Sequence, residues 1–216
     1  PRLMLESAVL GVAGALSAQL FMWMLRACNR LLLIGIAGYQ PPGAEIGPDH
    51  QVIGAHGLWL IPLVTTLGGL LSGFLVYRFA PEAEGHGTDT AVEAFHRREG
   101  IIRPRVPPVK MVASAITIGS GGAAGREGPI ALITAGMASV YAKLAHRSEE
   151  DRRLLLLAGM AAGLSAIFRT PMGTGVFAIE VLYGRMEFEV GAPLYTMISS
   201  AVAYTVNGLF VGFRPL

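Results

Sequence analysis

The stretch "GSGGAAGREGPIALITAG", residues 119–136, decides how this chain is read. Five glycines fall within residues 119–128, and an adjacent arginine and glutamate follow inside an apolar run. Between residues 111 and 141 nothing else is charged. An ionisable pair in such a run is costly if it lies at membrane depth, and then it marks a functional site. The other reading makes Arg126 and Glu127 a loop at the membrane surface; the flanking runs 111–125 and 129–142 are both short for a span. The residues themselves leave both readings open.

Working outward, four further apolar regions frame this one. Residues 7–25, 57–77 and 191–213 are uncharged, and 154–183 is interrupted only by Arg169 and Glu180. Each is near the ~20 residues that cross a bilayer. Charged residues make up 15% of the 216, against roughly 25% in a soluble domain. Mean hydropathy is +0.52. The composition therefore points to an all-α, polytopic membrane protein, a single transmembrane domain over residues 1–216, integral to a membrane and expected in the cell membrane. Residues 35–56 carry no Lys or Arg whereas 78–110 carry six, which places the first loop outside and the second in the cytoplasm, although Arg26 and Arg30 at the end of the first span weaken that assignment. No cleavable signal is expected at the N-terminus, because the first apolar stretch is long and lacks a small-residue cleavage site.

Several function classes fall away. Cys28 is the sole cysteine, so neither an intrachain disulfide nor a cysteine zinc site can form. A net charge of +2 gives no reason to expect nucleic acid as a partner. "GSGGAA" matches a dinucleotide loop weakly, but residues 129–148 contain no acid to hold a ribose. "GGAAGREG" lacks the Lys-Ser/Thr ending of a phosphate-binding loop. His56, His86, His96 and His146 stand alone, so no metal site, cofactor or enzyme activity is expected.

The helix punctuation is more informative. Thr90 and Glu93 have capping-box spacing, so a short helix is expected from about residue 89 to Gly100, with Arg97 and Arg98 in its last turn. Ser148, followed by three acids, predicts another helix start. That helix should fail near Arg169, because Pro171 disfavours helix in the residue before it, and Thr170 with Pro171 can open the next. Pro41, Pro42 and Gly43 mark a loop. Three starts, at 85–90, 125–129 and 170–171, are thus breaks next to or within apolar runs. A helix that begins at membrane depth points unpaired N–H groups and the positive end of its dipole inward, which suits an anion. Gly125, Gly128 and Pro129 fit such a start.

Taken together, "GREGP" at 125–129, "GHGTD" at 85–89, Lys110 sixteen residues before Arg126, and "RTPMGTGVFAIEVL" at 169–182 resemble the CLC family of chloride channels and chloride/proton antiporters, nearly end to end. The resemblance implies the first half of an inverted-repeat fold with broken and re-entrant helices, the second repeat being absent from this chain. It implies that Glu127 is a gating carboxylate competing with chloride or a similar small anion. It implies that Gly85, His86, Gly87, Thr88, Gly125, Arg126 and Gly128 surround that anion. Arg126 either braces the loop or adds positive potential, and Lys110 either snorkels from the cytoplasmic end or biases the pathway electrostatically. A homodimer with one pathway per subunit, using residues 172–210 at its interface, is implied as well.

Two departures from the family pattern matter. His86 stands where many members have a serine, and it either donates to the anion or turns away from it. Ten residues after Pro171, where exchangers of the family carry an internal proton-relay glutamate, this chain has Val181. Glu180 is adjacent but about 100 degrees round the helix, and a structural role is expected for it. Passive, gated, voltage-dependent conduction is therefore expected ahead of antiport by another proton route. A non-conducting half-size scaffold is the alternative from a different class.

Overall fold

The structure is a computed structural model, and it describes residues 2–39, 58–184 and 188–213. The loop signal at Pro41, Pro42 and Gly43 lies outside the described residues, as does His56. Eight α-helices follow in chain order among the described residues: α1 Arg2–Asn29, α2 Leu60–Phe79, α3 Thr88–Arg97, α4 Val106–Gly119, α5 Glu127–Leu144, α6 Glu149–Phe168, α7 Pro171–Tyr183 and α8 Ala192–Val211. A π-helical segment, Arg30–Ile36, continues α1, and a 3-10 turn, Pro81–Ala83, precedes α3. No strand is present among the described residues. The all-α expectation holds.

The apolar runs become helices in two ways. Arg2–Ile36, Leu60–Phe79 and Ala192–Val211 are long and apolar enough to cross a membrane. The run 111–141 instead divides into α4 and α5 across residues 120–126. At 1.5 Å per residue, α4's 14 residues reach about 21 Å and α5's 18 about 27 Å, both short of a ~30 Å hydrocarbon core. The run 154–183 likewise breaks at Arg169, which takes a left-handed backbone (φ 55°) between α6 and α7.

Helix α6 sits at the centre. Every residue from Leu154 to Ala166 is buried, the pattern of a helix that is apolar on all sides. Its start is fixed by Ser148, whose Oγ accepts from the Asp151 amide at 3.2 Å, with Glu149, Glu150 and Asp151 at the positive end of the dipole. Small residues let its neighbours approach. A methyl group on Gly159 would come within 2.5 Å of the Ala138 Cβ on α5, and one on Gly14 within 2.7 Å of the Ala162 Cβ on α6. Helix α1 presents Leu10, Gly11, Gly14, Ala15, Ala18 and Phe21 on one buried face, spaced three and four apart. Hydroxyl and amide groups tie α6 to α8: Ser165 to the Ser200 carbonyl, Ser199 to the Ala158 carbonyl and Asn207 to the Ala166 carbonyl, each at 2.8 Å. Such bonds contribute roughly 0.6 kcal/mol apiece in a membrane interior.

One cap is realised differently from its sequence signature. Helix α3 begins at Thr88, two residues before the capping-box threonine, because Gly87 is the N-cap. Gly87 has φ 112°, a conformation an L side chain rarely takes. Thr90 therefore falls inside the helix, and its hydroxyl donates to the Glu82 carbonyl at 2.8 Å instead. Arg97 closes α3, and Arg98 follows it paired with Glu93 at 2.9 Å. Thr170 stands at the N-cap of α7 without a side-chain cap bond, while Pro171 occupies the first turn as expected.

Candidate functional site

Two of the three breaks bring sequence-predicted residues together. The loop before α3 and the loop before α5 pack back to back. A Cβ on Gly87 would lie 2.8 Å from the Gly128 carbonyl, and a Cβ on Gly128 would overlap the His86 carbonyl and ring. Only glycine at both places allows this approach. The starts of α3 and α5 therefore lie side by side, and neither has a side-chain cap. The first N–H groups of a helix have no partner within it, and the positive end of the helix dipole lies there. No second charged group needs to be invoked for a positive potential at that spot.

Glu127 is the first residue of α5 and is half-buried. Its carboxylate folds back over Gly125, where any side chain would collide with Glu127 Oε2. A carboxylate thus rests at the head of its own helix, next to the head of α3. The residues just before Glu127, 123–126, are exposed.

Lys110, on α4, is 4% exposed, which removes the snorkelling alternative. Its Nζ donates to the Gly85 carbonyl at 2.6 Å and to the Ala83 carbonyl at 3.0 Å. These bonds tie the glycine loop to α4 and turn its carbonyls towards the lysine. His86 Nδ1 lies 3.0 Å from Thr88 Oγ1, which leaves Nε2 as the ring nitrogen able to meet a ligand.

A cavity of about 490 Å³ opens beside these loops. Gly85, His86, Lys110 and Gly125 line it, with Ser72, Ser114 and Thr117 adding hydroxyls. Those three were not singled out in the sequence; a serine and a threonine three apart on a short apolar helix were the available signal. Thr117 donates to Ser72 at 2.7 Å, and Ser72 donates to the Ala113 carbonyl at 3.1 Å. Gly87, Thr88, Glu127 and Gly128 do not line it; Gly87 and Gly128 form the close contact of the two loops instead.

Arg126 departs from the group. Its guanidinium lies 3.7 Å from Met22 Sδ on α1 and lines a second cavity with Arg26 and Arg169. Val181 is half-buried and packs against the hydrophobic core, whereas Glu180 is exposed. No cluster of three or more metal-ligating side chains occurs among the described residues.

Two helix starts thus meet beside a tethered carboxylate. The family described as "Voltage gated chloride channel" matches residues 68–216, and the chain belongs to that family, the CLC proteins. It is 29% identical over 213 residues, 96% of its length, to a putative chloride channel protein, ClcB-like, of Ralstonia nicotianae, covering 46% of that protein. It is 35% identical over 165 residues, 72% of its length, to the H(+)/Cl(-) exchange transporter ClcA of Cronobacter sakazakii, covering 34% of that protein. The chain thus spans less than half the length of these curated relatives. Among solved structures, a slow cyanobacterial Cl-/H+ antiporter superposes over the whole chain and 48% of its own, with a TM-score of 0.81 and 22% identity. A CLC-type fluoride/proton antiporter covers 99% of this chain and 48% of its own, with a TM-score of 0.76 and 24% identity. These two likenesses establish the fold, including its half-length extent.

Proposed function

We propose that this chain is the first repeat of a chloride-conducting CLC protein, in which Glu127 gates the anion site between the heads of α3 and α5. The observation that carries the reading is the glycine-only contact of those two helix starts, with the Glu127 carboxylate resting on one of them. A carboxylate on a short tether can occupy the position a halide would take. Protonation removes its charge and the reason for it to stay. Amides at 85–88 and 125–128 replace part of the anion's hydration shell, and His86 Nε2 adds a donor. Lys110 acts on the anion through the loop it holds. The second repeat of the same protein completes the pathway, and α7 and α8 supply a homodimer interface in the cell membrane.

Conduction is passive in this reading because Val181, an untitratable side chain packed on the core, stands at the position of the exchangers' internal glutamate. Antiport is the second reading, favoured by the exchanger among the relatives. The deciding measurement is the reversal potential of the full-length protein under a pH gradient. A potential set by chloride alone supports the channel; a shift to a fixed chloride/proton ratio replaces it with the exchanger. Halide flux from liposomes with Glu127→Gln tests the gate, with gating by pH expected to disappear. Flux that keeps the wild-type pH dependence removes Glu127 from that role. Cross-linking through cysteines placed singly along residues 172–210 tests the dimer, with covalent dimers expected.

A further inference from the structure

The second cavity, about 420 Å³, has a lining unlike the first. Three arginines reach it from three elements: Arg26 near the end of α1, Arg126 at the head of α5, and Arg169 at the break between α6 and α7. Gln19 and Asn207 add amides, and among the described residues no carboxylate lines it. Like charges such as Arg26 and Arg126 around one space repel one another unless something negative is shared between them.

The protein bonds of two of these arginines are poor. Arg126 has only the Met22 thioether, at 3.7 Å, and sulfur is a weak acceptor. Arg26 donates its Nε to the Met22 carbonyl of its own helix at 3.2 Å. Each guanidinium carries five N–H donors, so most of the donor capacity of Arg26 and Arg126 is left for a ligand. The amides beneath are by contrast already engaged: Gln19 donates to Asn207, and Asn207 donates to the Ala166 carbonyl at 2.8 Å. That pair is a floor, fixed to α6, under a rim of cations.

We propose that this cavity is a binding site for a phosphate-class oxyanion, separate from the chloride site and bridged by Arg26 and Arg126 with Arg169 alongside. Planar guanidinium forks match the paired oxygens of phosphate or sulfate, and they gain nothing comparable from a spherical halide. The oxyanion comes either free in solution or as the phosphate of a lipid headgroup, since the cavity lies beside the end of α8 and the α6–α7 break, and its two bridging arginines are exposed. The inference does not rest on the gating role of Glu127, because its test reads binding and not transport.

The test uses the full-length protein purified in a phosphate-free maltoside detergent at fixed ionic strength, with thermal unfolding followed by tryptophan fluorescence. Inorganic phosphate is titrated in one arm and short-chain phosphatidic acid in the other, against chloride at matched ionic strength. A saturable rise in Tm in either arm, absent with chloride and lost in both Arg26→Gln and Arg126→Gln, supports the site. The arm that responds identifies the source. A rise that chloride reproduces, or one that survives in the Arg26→Gln/Arg126→Gln double variant, overturns it. So does the absence of any rise in both arms. Should a variant start from a lower Tm, the size of its own ligand-induced shift remains the readout; Lys143→Gln, far from this cavity, is the control expected to keep the full shift.

Discussion

Lys110 and Arg126 are both cations close to the glycine loops, and they are placed in opposite ways. The lysine is buried, with its ammonium spent on two backbone carbonyls. The arginine is exposed, with a single thioether as its acceptor. The first holds a backbone in shape; the second leaves its charge and donors on offer. Positive charge near the glycine loops is thus placed in two distinct ways, and the hydrogen-bond partner, rather than the distance along the chain, tells them apart.

Four measurements break or sharpen that contrast, most readily by thermal unfolding of the full-length protein in detergent. The largest effect is expected for Lys110→Met. It strands the Ala83 and Gly85 carbonyls, at roughly 1–3 kcal/mol each if they stay dry. A clear drop in Tm together with loss of halide flux is expected, and an unchanged Tm would show that the ammonium does not brace the loop. Gly128→Ala should come next, about 1–3 kcal/mol, since the new methyl meets the His86 backbone and the loop must shift. Thr90→Val removes one further tie on the same turn, the bond to the Glu82 carbonyl, and should cost about 1 kcal/mol. Arg126→Gln should change stability by no more than ~0.5 kcal/mol, as exposed substitutions do, while altering the salt dependence of flux. If Arg126→Gln proves as destabilising as Lys110→Met, the contrast fails.

A smaller pH effect belongs to the same turn. Burial would raise the Glu82 carboxyl, but the hydrogen bond from Arg103, a backbone bond, and the charges of Arg103 and Arg98 outweigh it and hold the carboxyl below its ordinary value. A depressed carboxylate stabilises the fold above its unfolded pKa, and that contribution is lost as pH falls through the lower folded value. Acidification through the carboxylate range should therefore lower the Tm slightly more in the wild type than in Arg103→Gln.

Much of this could be read from residues alone, and the failures have physical reasons. The breaks at 85–90, 125–129 and 170–171, and the Ser148 cap, are local matters of glycine, proline and side-chain oxygen, and each stands in the structure where the sequence puts it. The Thr90 cap does not, because Gly87 can take a left-handed φ and starts the helix earlier, while a carbonyl eight residues back offers Thr90 a bond. The task of Lys110 was out of reach, since its partners lie 25 and 27 residues away. The direction of Arg126 had a signal that went unused. Gln19, Met22 and Arg26, spaced three and four apart, already marked the face of α1 that meets it.

Helix α1 has a consequence for how the protein is made. Its Glu6 is 6% exposed and paired with Arg147 at the α5–α6 turn, and its Gly11 and Gly14 face seats on α8 and α6. A ribosome delivers α1 first and those seats well over a hundred residues later. Until they emerge, the newborn segment must wait in or beside the insertion machinery with only the exposed Arg2, one turn away, to answer its acidic group. The earliest made of these eight helices is thus among the last of them that can settle, and lesions in α6 or α8 should show up as an unanchored α1.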